Sequence, residues 1–111
     1  MDIQERNLGE VVILELSGKI IGGPDATNLN DKLHDLVEKG TKKVVADLAQ
    51  VNWMNSSGLG ILISALTTTR NAGGELKIAA ATEKIQKLLT ITKLTNVFTL
   101  YTTVDEAIAS F

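Results

Sequence analysis

The sequence predicts one α/β domain on a mixed, mostly parallel β-sheet of four to five strands with about four α-helices. Three observations support this fold class. The chain has 111 residues, the size of a single domain, so residues 1–111 are assigned to one unit. Short apolar runs rich in β-branched residues alternate with segments of helical periodicity. Clusters of glycine, proline and asparagine separate these segments, as expected for turns.

The first strands lie before residue 22. Ile3–Arg6 and Val11–Leu16 both have strand composition, and Gly9 supplies the turn between them. The second segment begins with consecutive apolar residues, which predicts a strand buried on both faces. Ser17-Gly18 interrupts this strand, and Lys19–Ile21 extends or resumes it.

The first helix opens at Gly22-Gly23-Pro24-Asp25. Proline is tolerated in a first helical turn, where its missing N–H is not needed, and an aspartate there suits the helix dipole. Gly40 is positioned to end the helix. Its apolar stripe consists of Leu29, Leu33, Leu36 and Val37.

The middle of the chain predicts a strand, a loop and a second helix. Lys43–Leu48 has the composition of a buried strand. Ala49–Ser56 is predicted to be the loop, and Ser57–Arg70 the helix. This helix is apolar over much of its surface, which predicts deep packing against the sheet.

The last third predicts two more strands and two more helices. Glu75–Ala80 is a strand, and Thr82 caps an apolar helix that ends near Leu94. A short strand follows at Val97–Tyr101. Thr103–Glu106 has the pattern of a capping box and opens the final helix.

The composition excludes several classes of function. The net charge of -2 and the aromatic content of 4% argue against a nucleic-acid surface with stacking aromatics. With no cysteine and one histidine, the chain is expected to hold no metal and no cofactor. The polar start, Met1–Asn7, is not a leader, and no apolar run is long enough to span a membrane. We therefore expect a cytoplasmic protein without a membrane or nucleic-acid partner.

Two serines lie where the second helix begins. Serine is a favoured helix N-cap, so Ser56 or Ser57 is expected to fill that role. The other hydroxyl then lies at a helix N-terminus, where free N–H groups and the helix dipole favour an anion. Such a hydroxyl is a plausible acceptor for a phosphoryl group, which adds about −1.5 to −2 charges.

Enzyme motifs fit this segment poorly. Gly58 and Gly60 lack the third glycine of a dinucleotide fingerprint, and no lysine follows them as in a P-loop. Neither serine has the flanking glycines of a nucleophile elbow. His34 falls on the first helix, beside its apolar stripe, and is not expected to be a catalytic base. We predict no catalytic residues.

This segment resembles the STAS domain family and, within it, the bacterial anti-sigma factor antagonists. The resemblance extends over essentially the whole chain, with the same order of elements. The matching residues are Gly18, Asp47-Leu48, Val51, Met54–Gly60, Gly73-Gly74 and the apolar late helix ending near Leu94.

The resemblance implies a function. An antagonist of this family binds an anti-sigma factor, usually a serine kinase, and thereby frees a sigma factor. The kinase phosphorylates a serine at this helix start, which blocks binding, and a phosphatase removes the phosphate. Carried over, the acceptor is Ser56, with Ser57 as the alternative and the expected cap. An interaction or scaffold module that is not phosphorylated stays open as a second interpretation.

The same resemblance implies where partners bind. The protein would be a monomer or weak dimer whose partners are the anti-sigma factor kinase and the phosphatase. The predicted contact residues are Gly22, Gly23, Asp25, Trp53, Asn55, Ser56, Ser57 and Leu59.

Two departures from the family pattern concern this surface. The family commonly has aspartate immediately before the acceptor serine, where this chain has Asn55. It also commonly has an acidic residue near the end of the strand after Gly18, where this chain has Lys19-Ile20-Ile21. Gly22-Gly23-Pro24 lengthens the following loop, which is expected to lie beside Ser56.

Overall fold

A computed structural model describes residues 1–93 and 98–111 of the chain. The strands are β1 (Asp2–Leu8), β2 (Val11–Ile20), β3 (Lys43–Met54), β4 (Glu75–Ala79) and β5 (Leu100–Tyr101). The helices are α1 (Pro24–Glu38), α2 (Ser56–Asn71), α3 (Glu83–Ile91) and α4 (Val104–Ala109). None of the helices in the described ranges combines the length and apolar character needed to cross a bilayer.

The sheet has the strand order β1-β2-β3-β4-β5. β1 pairs with β2 in antiparallel orientation, and every other neighbouring pair is parallel. The predicted α/β class with a mixed, mostly parallel sheet is confirmed. In such a sheet the carboxyl ends of the parallel strands meet at one edge, where ligands commonly bind.

Both faces of the sheet are covered, as the apolar runs predict. On one face, Val12 and Leu14 of β2 belong to a large core that also includes buried residues of α1, α2 and α3. On the other face, Val11 and Ile13 belong to a smaller cluster with Ala107 of α4. Alternate residues of β2 therefore point into two separate apolar layers, and the expected burial of this strand on both faces is confirmed.

The main difference from the expected elements is at the end of β3. Ala49–Ser56 is predicted to be a loop, but β3 continues to Met54. β2 also runs without a break past Ser17-Gly18, although the register with β3 is irregular there. The prediction of a loop is wrong because the extended β2 supplies hydrogen-bond partners for the extra residues of β3, ending in the pair Ile20 and Met54.

The C-terminal elements largely follow their sequence signals. Thr82 caps α3, and its hydroxyl accepts a hydrogen bond from the N–H of Ile85 at 3.4 Å. Thr103 caps α4 in the same way, through the N–H of Glu106 at 3.1 Å. Of the strand expected over 97–101, only Leu100–Tyr101 is observed as a strand, because Phe98 and Thr99 lie outside it. α3 ends at Ile91, three residues before the expected end near Leu94. Leu94 and Val97 themselves lie outside the described residues.

Candidate functional site

The site lies where β2 and β3 end side by side and α2 begins. Ile20 pairs with Met54 at the ends of the two strands, and α2 starts two residues later at Ser56. The loop that follows β2 leads into α1 and returns to the same edge. Asn55 donates a hydrogen bond from Nδ2 to the carbonyl oxygen of Ile21 at 3.3 Å. The expected position of this loop, near the Ser56 edge of the sheet, is confirmed.

Asn55 is the N-cap of α2. Its Oδ1 accepts a hydrogen bond from the backbone N–H of Gly58 at 2.9 Å, and its backbone is extended, with φ −111° and ψ −175°. The expectation that Ser56 or Ser57 caps the helix is wrong, because both serines already lie inside its first turn. The sequence signal was available, since asparagine is as good an N-cap as serine.

Both serine side chains are exposed. Within residues 1–93 and 98–111, neither hydroxyl has a hydrogen-bond partner in the protein. A methyl group built on Gly22 would lie 3.2 Å from the Cβ of Ser57, so the side chain of Ser57 faces the loop after β2. No atom of Ser56 lies within 4 Å of that added group, so the side chain of Ser56 does not face Gly22.

The loop after β2 consists of residues that few other residue types could replace. Gly22 and Gly23 have φ of +107° and +59°, a region that glycine adopts without strain. Pro24 then occupies the first helical turn, as predicted. Asp25 is 8% exposed and accepts hydrogen bonds from the N–H of Ile21 and the amino group of Met1, each at 3.2 Å. These contacts hold the loop against the end of β2.

Two buried residues of α2, Gly58 and Leu59, pack under the exposed part of the site. Gly58 lies directly against β2, because a Cβ added there would be 2.0 Å from the carbonyl oxygen of Ile20. Leu59 is 3% exposed and belongs to the large core. The side chains of Leu59 and Asp25 are therefore buried, whereas those of the predicted contact residues Trp53, Ser56 and Ser57 are exposed.

Trp53 is the exposed aromatic residue of the site. Its side chain is 43% exposed, and the ammonium group of Lys84 on α3 lies 4.3 Å from the centre of its ring. This geometry is a cation–π contact. No sequence signal placed Lys84 here, because it depends on how α3 packs against the end of β3.

The charged groups with shifted pKa values lie away from this edge. A hydrogen bond from Lys32 holds the pKa of Glu5 below its usual value, and a hydrogen bond to Asp35 raises the pKa of Lys39. In the described ranges, no three His, Cys, Asp or Glu side chains lie close enough together to hold a metal ion.

Replacing Asn55 is expected to destabilise the start of α2. Asn55→Ala should lower the free energy of unfolding by about 1–2 kcal/mol. The reason is that the side chain of Asn55 would no longer accept a hydrogen bond from the N–H of Gly58 or donate one to the carbonyl oxygen of Ile21. Urea denaturation measures this change. Ser56→Ala is the matched control and should change stability by less than about 0.5 kcal/mol. An equal loss in both variants would show that Ser56 also caps the helix.

Comparison with known proteins places the chain in a family. The STAS domain signature matches residues 2–107. A Thermotoga maritima protein named as a candidate anti-sigma factor antagonist is 27% identical over 73 residues, which cover 66% of this chain and 65% of that protein. The chain therefore aligns with slightly less than two thirds of that relative's length. The anti-sigma-B factor antagonist of Bacillus subtilis is 29% identical over 96 residues, covering 86% of this chain and 78% of the relative.

Solved structures show the same fold. The crystal structure of a candidate anti-sigma factor antagonist from Thermotoga maritima superimposes with a TM-score of 0.86 at 24% identity, covering 97% of this chain and 92% of that chain. The Bacillus cell fate determinant SpoIIAA in its phosphorylated form gives a TM-score of 0.74 at 17% identity, covering 98% of each chain. Since the family signature extends over nearly the whole sequence and the fold agrees, this protein is a member of the STAS domain family.

Proposed function

We propose that this chain is an anti-sigma factor antagonist whose binding is switched off by phosphorylation of Ser56. Relatives carry the name of anti-sigma factor antagonist, and one solved neighbour is a phosphorylated form. The observation that carries the proposal is that the helix cap at the start of α2 is a residue other than Ser56. Asn55 caps the helix, so the exposed hydroxyl of Ser56 has no structural task and is free to accept a phosphoryl group.

The start of α2 suits a phosphate. The backbone N–H groups of the first helical turn have no partner within the helix. Asn55 accepts a hydrogen bond from the N–H of Gly58 alone. Those of Ser56 and Ser57 can therefore face an anion, which the helix dipole also favours. We expect the phosphorylated chain to keep its fold. The added charge would then act on the partner rather than on the protein itself.

The proposed contact surface consists of the exposed and partly exposed residues of the site. Its residues are Gly22, Gly23, Trp53, Asn55, Ser56 and Ser57, while Asp25 and Leu59 support it from the interior. The chain supplies no catalytic group in this proposal. The anti-sigma factor acts as the kinase, a separate phosphatase removes the phosphate, and the exchange takes place in the cytoplasm with the antagonist as a monomer or weak dimer.

Intact-mass measurement tests the acceptor. Incubation with a candidate anti-sigma factor kinase and ATP should add one phosphate to the wild-type chain and to Ser57→Ala, and none to Ser56→Ala. If Ser57→Ala abolishes the addition instead, Ser57 is the acceptor.

One departure in the sequence favours a second candidate function. Asn55 and the segment Lys19-Ile20-Ile21 stand where the family commonly has acidic residues, and both lie on the proposed contact surface or beside it. An interaction or scaffold module that is not phosphorylated would be favoured if a partner binds the chain tightly and yet never labels it in the presence of ATP.

A further inference from the structure

Three large apolar side chains are exposed along the edge next to Ser56. Ile21 is 49% exposed, Trp53 43% and Ile91 78%. Two hollows flank the indole of Trp53. One, of about 500 Å³, is lined by Lys19, Ile21 and Asn52 together with Trp53. The other, of about 230 Å³, lies between the end of β3 and α3 and has a largely apolar lining that includes Leu88 and Ile91. We call Lys19, Ile21, Trp53, Lys84, Leu88 and Ile91 the Trp53 surface.

The charge of the Trp53 surface is one-sided. The chain has 13 acidic residues, but none occurs between Asp47 and Glu75, the stretch that supplies Trp53 and the serines. Lys19 and Lys84 have no carboxylate partner within the described ranges. Lys87, which also lines the smaller hollow, pairs with Glu83 at 3.6 Å.

Lysines that lack a carboxylate partner, next to exposed apolar side chains, indicate what kind of partner would cover this surface. An apolar face can bury Trp53, Ile21 and Ile91, and carboxylates beside that face can pair with Lys19 and Lys84. Aromatic residues at the centre of a patch with charges at its rim are typical of protein interfaces. A basic partner face would instead leave these lysines opposed by like charge, which is unfavourable.

We propose that the Trp53 surface binds an acidic amphipathic segment of a partner protein, with its apolar residues in the two hollows and its carboxylates on Lys19 and Lys84. This inference rests on the proposed function, because the segment would lie beside Ser56 on the anti-sigma factor. It adds the chemistry of that partner and a reason for the switch. A phosphate on Ser56 would place negative charge next to the carboxylates of the bound partner segment.

An anionic membrane is the other surface that lysines and a tryptophan could meet. Polybasic membrane-binding segments usually carry about 4–8 lysine or arginine residues close together. The Trp53 surface and its rim have Lys19, Lys84 and Lys87, one of them paired, in a chain of net charge -2. The observations therefore favour a protein segment.

Titration with two synthetic peptides tests this inference on the unphosphorylated full chain. The peptides share one leucine face and carry either glutamate or lysine beside it. We expect the glutamate peptide to shift the Trp53 emission and the amide resonances of the Trp53 surface, and to bind more weakly as salt is added. Lys84→Glu should weaken its binding about three- to tenfold. The lysine peptide should bind more weakly than the glutamate peptide to the wild-type chain.

Lys39→Glu is the matched control, because it makes the same change in net charge at the far end of α1 and should leave binding unchanged. The proposal is overturned if both peptides bind equally, if neither shifts these resonances, or if the shifts fall elsewhere. Stronger binding to vesicles of phosphatidylglycerol and phosphatidylcholine than to the glutamate peptide would also overturn it, in favour of a membrane. None of these results depends on a kinase, so they are separable from the labelling of Ser56.

Discussion

Gly58→Ala is expected to lower the free energy of unfolding by about 3 kcal/mol or more. The added Cβ would lie 2.0 Å from the carbonyl oxygen of Ile20 and 2.8 Å from the Cγ of Met54. The oxygen belongs to the backbone of β2, so it cannot move aside as the end of a flexible side chain can. Overpacking a well-filled interior commonly costs about 1–3 kcal/mol, and a contact with the backbone places this variant at the upper end.

Gly60→Ala provides the comparison within the same helix. Nothing lies within 4 Å of a Cβ added at Gly60, so this variant should be more stable by about 0.5–1 kcal/mol, because alanine is the better helix former. Urea denaturation of both variants measures the two changes. Similar stabilities for Gly58→Ala and Gly60→Ala would mean that α2 does not approach Ile20 as closely as described.

Phosphorylation of Ser56 is expected to weaken binding of the anti-sigma factor by about 2–5 kcal/mol. That range corresponds to roughly 30-fold to several-thousand-fold in affinity. The reason is that a dianion enters a desolvated contact surface that otherwise holds a neutral hydroxyl. Titration calorimetry with the purified partner, on chains whose single phosphate is verified by intact mass, gives the two dissociation constants.

The circular dichroism spectrum should stay close to that of the unmodified chain, because the start of α2 accommodates an anion. Ser56→Ala should retain most of the affinity, since it removes the acceptor without adding charge. Loss of folded structure on phosphorylation would assign Ser56 a structural role instead. Unchanged affinity of a folded, phosphorylated chain would contradict the switch and favour the scaffold function.

The pattern of apolar residues along the chain was sufficient to predict much of this fold. The apolar run at Val11–Leu14 predicted a strand buried on both faces, and the alternation of its side chains between two apolar layers confirms it. Local signals also placed Pro24 in a first helical turn and threonine caps at Thr82 and Thr103. The end of β3 could not be predicted in this way, because its hydrogen bonds come from a distant part of β2.

The candidate site was predictable in place but not in detail. The resemblance located the helix start and its two serines, and the exposure of both is consistent with a surface role. The assignment of the cap to a serine failed because the N-cap depends on where the helix begins, and Asn55 precedes it. The bond of Asn55 to Ile21 and the contact of Lys84 with Trp53 join distant parts of the chain, which residue patterns do not reveal.

The sheet leaves part of β3 with one neighbouring strand instead of two. β4 pairs with β3 only as far as Asp47 and Ala79, whereas β2 continues alongside β3 to Met54. Before Asp47, β3 is hydrogen-bonded to a strand on each side, whereas near Trp53 it is hydrogen-bonded to β2. The stretch with fewer hydrogen-bonded neighbours is therefore the one beside Ser56, so exposed side chains there, such as Trp53, can change without disturbing the central part of the sheet.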